Sequence, residues 1–195
     1  MENKNIVEEV RRFVEEECRK PTSHYGFEPY RGHFVIMHRC AVDLAKKLGA
    51  NLEVVELAAW IHDIGSIIQG RENHHQASVE IAEKKLRELD YPEKKIEEVK
   101  HCIFAHRSSE DIPKETIEAK IISDADAISN FGNIVGILKA ALVYENQNQF
   151  EARKSTLEKL QRKWKKLELE ESRRLIKPKY EAAVLLLSDD GQTEL

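Results

Sequence analysis

The chain is short of cysteine, of glycine and proline, and of excess charge of either sign. Its three cysteines, Cys18, Cys40 and Cys102, are odd in number and show no C-x-x-C spacing. That excludes a disulfide framework and a cysteine-based zinc site, and leaves reduced, buried thiols. Eight glycines and five prolines among 195 residues sit mostly between periodic segments, so no linker divides the chain, and the length is that of one domain spanning residues 1–195. A net charge of −4 carries no basic excess that would favour a nucleic-acid backbone or an anionic membrane as partner. The most apolar long run, FGNIVGILKAALVY at 131–144, is interrupted by Lys139 and falls short of the roughly 20 residues of a membrane span. The opening MENKNIVEEVRRFVEEECRK is charged throughout, unlike a signal peptide, and a cytoplasmic location is expected. The motifs G-x-x-x-x-G-K-[ST], G-x-S-x-G and G-x-G-x-x-G are absent, which argues against nucleotide-powered, serine-hydrolase and dinucleotide chemistry.

What is present is helical period. Hydrophobic residues at 41% and charged residues at 34% describe a globular chain with a heavily charged surface. Ile6, Val10, Phe13 and Val14 form one apolar stripe. The spacing predicts further helices at about 35–48, closed by Gly49 in a left-handed cap, and at 52–64, stopping at Gly65 before a polar loop. Others are expected at 75–89, 93–106, from near Glu115, at 132–148, 151–172 and 178–188, with Pro178 as the break between the last two. No segment alternates as a strand would, so the fold class is all-α. Leu157, Leu160, Trp164 and Leu167 keep a helical spacing inside a highly charged segment, a stripe that packs on the domain or on a second subunit; the chain is expected to be a monomer or a homodimer.

Against this pattern, AAWIHDIG at 58–65 sets two ionisable residues, His62 and Asp63, in an apolar run. A divalent ion binds neutral imidazole and carboxylate and replaces water as their partner, offsetting the desolvation that burial imposes. All eight histidines lie between residues 24 and 106, five of them from His62 to His106. Upstream, MHRCAVDLAKKLG carries His38, 24 residues before His62; downstream, AKIISDADAISNFG offers Asp124 and Asp126.

This ordered set resembles the HD superfamily of metal-dependent phosphohydrolases, whose pattern is H, then HD, then a distant D, on an all-helical bundle. The resemblance covers roughly His33 to Leu142 and is similar above all to small stand-alone members. It implies that His38, His62 and Asp63 are the first three metal ligands, and it selects Asp126 in DADAIS as the last. At about 100° per residue, Asp124 and Asp126 point about 200° apart on a helix. Asp124 shares the face of Ile117, Ile121 and Ile128, so it stays a close alternative or a hydrogen-bond partner of the ligands. The cyclic-di-GMP phosphodiesterases of this superfamily hold a second metal, but this chain reads AHRSSED where they have a doubled histidine and a GYP segment. One divalent metal ion is therefore expected, Mn, Mg, Ni, Co or Fe, with histidine-rich ligation leaning toward a transition metal.

The activity implied by the resemblance is hydrolysis of a phosphate ester or phosphoanhydride, with a nucleotide as the expected substrate, through a metal-activated water. Asp63 is expected both to ligate the metal and to orient the water. His101 or His106 is expected to contact substrate phosphate or that water, with His75 as a further substrate contact. Arg107, Lys114 and Lys120 are candidate phosphate contacts, because guanidinium and ammonium groups suit that anion. His74 is expected to be exposed, and His24 and His33 have no partner pattern. Glu72, nine residues after Asp63, departs from relatives with a glutamate soon after the HD pair. A non-catalytic metal or nucleotide binder and a two-metal cyclic-nucleotide phosphodiesterase are the alternatives.

Overall fold

Capping side chains and apolar stripes set most of the element borders. In the structure, a computed structural model describing residues 5–70, 72–107 and 112–188, every regular element among the described residues is helical. The order is α1 (Ile6–Arg19), a π-helical turn (Tyr30–Phe34) running directly into α2 (Val35–Leu48), α3 (Leu52–Ile61), α4 (Ile64–Gln69), α5 (His74–Glu88) and α6 (Glu93–Ala105). Then come α7 (Ile117–Gly132), α8 (Ile134–Lys139) with a second π-helical turn (Ala140–Tyr144), α9 (Gln149–Lys165) and α10 (Glu170–Leu187). Asn5, Asn51 and Thr116 cap α1, α3 and α7 by accepting from the third backbone N–H beyond them, and Asn148 opens α9 in a capping box with Glu151. Gly49 closes α2 at φ 69°, the left-handed cap that its position predicts.

The bundle is built around α7. Its residues 121–131 are buried without a break, and it packs on α2, α3, α6, α9 and α10. A helix apolar on all sides must be surrounded on all sides, so both Asp124 and Asp126 are buried although they point in opposite directions. α3 is similar: Val54, Val55, Leu57, Ala58, Ala59, Trp60 and Ile61 are all buried. Its C-terminal end delivers the HD pair to the middle of the bundle.

Three borders depart from the periodicity. α3 ends at Ile61 rather than running to Ile64, and Gly65 lies inside α4 instead of stopping a helix. The break between the last two helices falls at 166–169, and Pro178 lies inside α10. A tertiary contact decides the place of the break. The Asp124 carboxylate accepts the backbone N–H groups of Glu168 (3.1 Å) and Leu169 (2.9 Å), pinning the corner. Burial of Ile176 and Ala183 on either side of Pro178 offsets the hydrogen bond the proline cannot make. The stripe of α9 packs inward: Leu160 and Leu167 are buried, and Trp164 stacks on Tyr180 of α10 with ring centroids 4.5 Å apart. Among the described residues no single helix is long and apolar enough to cross a membrane.

Candidate metal centre

The HD pair occupies the corner between α3 and α4. His62 closes α3, and Asp63, at φ −111° and ψ 15°, turns the chain into α4. The corner is held closely against α5, because Gly65 N–H donates to Ser78 Oγ (2.9 Å) and a Cβ at Gly65 would stand 2.3 Å from the backbone oxygen of His74. Only glycine permits that approach. The result is that His74, first residue of α5, lies beside Asp63.

Three further histidine and carboxylate groups reach the corner from other elements. His33 comes from the π-helical turn before α2, His106 from the C-terminal end of α6, and Asp126 from α7. His33 Nε2 lies 3.0 Å from His62 Nε2, 3.5 Å from Asp63 Oδ2 and 3.7 Å from Asp126 Oδ1. His62 Nε2 is 3.7 Å from Asp63 Oδ2. The other oxygen of Asp63 lies 3.3 Å from His74 Nε2 and 3.4 Å from His106 Nε2.

Hydrogen bonds on the far side of three imidazoles fix which nitrogen faces this point. His62 Nδ1 donates to Ala59 O (3.0 Å), and His106 Nδ1 donates to Ile103 O. Ser129 Oγ gives its own proton to Asp126 O (2.7 Å), so it accepts from His33 Nδ1 (2.9 Å). With Nδ1 engaged in each ring, it is Nε2 that each imidazole turns toward the others and toward two carboxylates. Such outer hydrogen bonds are how proteins orient imidazole ligands.

An assembly of lone pairs and carboxylates needs positive charge at its centre. Burial pushes His62 down to about 3, which leaves it neutral near pH 7. Burial also works against the charges of Asp63 and Asp126. Hydrogen bonding from His106 and His33 nonetheless helps to hold Asp63 well below the usual carboxylate range, and the Lys163 ammonium does the same for Asp126. Burial opposes a charge on His106 too, but Asp63 beside it raises it above its ordinary value. Among the described residues Asp63 Oδ1 is buried without a hydrogen-bond partner, although two imidazole nitrogens are close. A divalent cation satisfies all of these at once. The donor atoms of His33, His62 and Asp126, and likewise of His62, Asp63 and His106, lie within 4.8 Å of one another, a spacing and an N/O chemistry suited to a first-row ion.

The structure brings together some of the residues singled out from sequence and removes others. His62, Asp63, Asp126 and His106 converge. His38 does not: it stacks on Trp60 (4.4 Å between rings) with Nε2 3.3 Å from Glu56 Oε1. His33 stands where His38 was expected. Five residues separate the two, about 140° around an α-helix, so only one of them faces the corner. The extra residue of the π-helical turn further shifts the register there. Asp124 points away and holds the α9–α10 corner. His101 Nε2 accepts from Glu115 N (3.3 Å), and Lys120 and Lys114 face Glu168 (3.8 and 2.6 Å), so none of these three meets the HD corner. His75 is 1% exposed and is covered from direct contact with a substrate; its Nδ1 accepts from Arg107 Nη1 (2.6 Å). Arg107 lines the cleft that opens on the corner, of about 860 Å³, together with His33, Asp63, His74, His106 and Asp126. His33, His74 and Lys163 escaped the sequence reading. The one signal available for His74 was its place next to His75 at a helix start.

A family model described as HD domain matches residues 30–130. Over 100 residues the chain is 36% identical to Ribonuclease Y of Cutibacterium acnes, an alignment that covers 50% of this chain and only 17% of that protein's length. Among solved structures, an HD-superfamily hydrolase of Bacillus thuringiensis superposes with a TM-score of 0.66 at 18% identity, covering 93% of this chain and 92% of that one. YpgQ of Bacillus subtilis, solved in complex with ADP, superposes with a TM-score of 0.68 at 19% identity over 93% of each chain.

Proposed function

Because this chain belongs to the HD-domain family, we propose that it is a metal-dependent phosphohydrolase acting on a phosphate ester or phosphoanhydride of a nucleotide. The observation that carries this reading is the convergence of three imidazole Nε2 atoms, from His33, His62 and His106, on the carboxylates of Asp63 and Asp126. His33, His62, Asp63 and Asp126 would hold the ion, in a domain comprising the whole chain. A divalent ion in such a set makes water nucleophilic near neutral pH and offsets charge on phosphoryl oxygens.

The chain's own groups supply the rest. Asp63 directs one oxygen to the His33 and His62 side and the other to His74 and His106, so it orients a water between them. His106 and His74 hold and release protons at Nε2. Arg107, positioned by His75, offers its guanidinium to phosphate from the cleft wall. In the reaction the water oxygen bonds to phosphorus, the phosphorus–oxygen bond to the leaving group breaks, and a water proton ends on the leaving oxygen. The ADP complex of YpgQ, a protein of the same fold, supports a nucleotide as the first substrate class to try.

The placement of Asp63 between two histidine pairs favours a second reading in which two ions share that carboxylate. Two metal ions per chain in elemental analysis would select it over the one-ion reading. The test of the activity is phosphate release from an aryl phosphate, AMP, ADP, ATP and a short oligoribonucleotide, after metal removal and after readdition. Metal-dependent release that Asp63→Ala abolishes is expected. Stoichiometric metal without turnover on any compound would overturn the hydrolase reading, and a chain that binds no metal would overturn the site itself.

A further inference from the structure

Helix α9 brings a lysine into the centre from outside residues 30–130, the stretch that matches the family. Lys163 is the single buried lysine or arginine among the described residues, 8% exposed, and its Nζ contacts Asp126 Oδ2. Burying an ammonium is costly, and a buried ion pair is commonly no better for stability than an apolar substitute. Stability therefore gives little reason for a lysine here. The two oxygens of Asp126 divide their work: Oδ1 faces His33 and accepts from Asn130 Nδ2 (2.9 Å), while Oδ2 faces Lys163. One N–H of the ammonium is committed to Asp126, and two remain at the wall of the 860 Å³ cleft.

The same wall continues along the helix. Lys159, one turn before Lys163, and Arg162 line the same cleft. Residues four apart on a helix are neighbours, about 5–6 Å between Cβ atoms. A phosphomonoester carries a charge that a divalent ion with Arg107 already matches. Further cations in a row suit the charge that a second, linked phosphate adds. Ile137, Ala140, Ala141 and Tyr144 give the cleft an apolar part as well, suited to a nucleoside.

We propose that α9 is a phosphate-binding wall, so that the substrate carries at least two linked phosphates, as in a nucleoside di- or triphosphate, in preference to a monophosphate. This rests on the hydrolase reading above. Lys163 donates to the phosphoryl group beside Asp126, and Lys159 with Arg162 binds the next phosphate. The water oxygen bonds to the phosphorus next to Asp126, the bond from that phosphorus to the bridging oxygen breaks, and the departing phosphate leaves with the bridging oxygen and a water proton.

The test uses the full chain loaded with Mn2+ and two readouts. Calorimetric binding of inorganic pyrophosphate and of inorganic phosphate reports the wall without turnover, and kcat and KM for ATP, ADP and AMP report substrate choice. Pyrophosphate is expected to bind about 10- to 100-fold more tightly than phosphate, a margin typical of one or two charge-assisted hydrogen bonds. Lys159→Ala and Lys163→Ala each lower pyrophosphate affinity about tenfold and raise KM for ADP, while phosphate binding moves little with Lys159→Ala and Lys163→Arg restores part of the loss. Lys154→Ala, on α9 but outside the cleft, changes nothing. Should Lys163→Ala not fold, Lys159→Ala and Arg162→Ala carry the same test. Equal affinity for pyrophosphate and phosphate, AMP cleaved as well as ADP, or preference for an oligoribonucleotide would overturn the proposal. Tight, Lys159-dependent pyrophosphate binding with no phosphate release from any compound would support the wall and sink the hydrolase reading.

Discussion

Gly65→Ala probes how the corner is assembled. The added Cβ would lie 2.3 Å from His74 O, 2.8 Å from Ser78 N and 2.9 Å from Ala77 Cβ, where ordinary contacts begin at 3.4 Å. Two of these neighbours are backbone atoms of α5, so no side-chain rotation relieves the clash, and α4 must retreat from α5 by about 1 Å. Overpacking of this kind costs about 1–3 kcal/mol, and at about 2–4 °C per kcal/mol for a chain of this size the melting temperature falls by about 2–12 °C. The same retreat carries Asp63 away from His74, now 3.3 Å apart, and loosens the ligand set; displacing groups that orient a metal site typically weakens affinity about 10- to 100-fold. Thermal melts of the metal-free chain and a calorimetric metal titration measure the two effects separately. Gly132→Ala serves as contrast, since its Cβ would meet only Ile36 Cγ2 at 3.7 Å and is expected to leave both quantities near wild type. If Gly65→Ala melts and binds metal like the wild type, the contact between α4 and α5 does not position the site.

Other expectations follow from particular contacts. His33→Ala should lose bound metal while His38→Ala keeps it, as read by elemental analysis of the purified variants; the opposite result would restore the ligand assignment suggested by the sequence alone. Asp124→Ala removes the acceptor of two backbone N–H groups at the α9–α10 corner and should cost about 2–4 kcal/mol in denaturant unfolding with metal affinity little changed. Metal lost in step with that stability would put Asp124 in the ligand set. Burial pushes the thiols of Cys18 and Cys102 up to about 12 from 9.0. Because the folded-state values are raised, the stability they contribute is complete below about pH 9 and is lost as pH rises toward 12. Burial raises the Cys40 thiol as well, but Cys40 is only half-buried, so the native chain should react with a thiol reagent at pH 8 through Cys40 alone, and Cys18→Ala with Cys102→Ala should flatten the alkaline fall in melting temperature. Rapid labelling of all three native thiols would contradict the packing.

The HD corner was legible because two charged residues in an apolar run stand out whatever the fold. Asp126 was named by the family resemblance, whereas the apolar stripe of Ile117, Ile121 and Ile128 pointed to Asp124; because α7 is buried on every side, both carboxylates lie inside the bundle. Helical period likewise gave α1, α2, α5, α6 and α7 to within a few residues. Departures cluster where one residue changes the phase. The π-helical turn at Tyr30–Phe34 inserts an extra residue before α2, and His33 in that turn, rather than the His38 implied by the family resemblance, reaches the corner. Lys163 read as surface charge because α9 is polar on most of its circumference, and only its docking against α7 buries that ammonium on Asp126.

Hydropathy period determined the class of fold, and the order of histidines and aspartates, with the family resemblance it carries, pointed to His62, Asp63 and Asp126 as candidate ligands. These are properties of residue type and local spacing, which a helix converts directly into a buried or exposed face. Tertiary structure decided which histidine reaches the HD corner, that Asp124 pins the α9–α10 turn, and that His75 supports Arg107. Each of those depends on how far one helix is rotated or shifted against another. That relation is fixed by contacts such as Gly65 on α5 and Asp124 on the α9–α10 turn, between residues far apart in the chain.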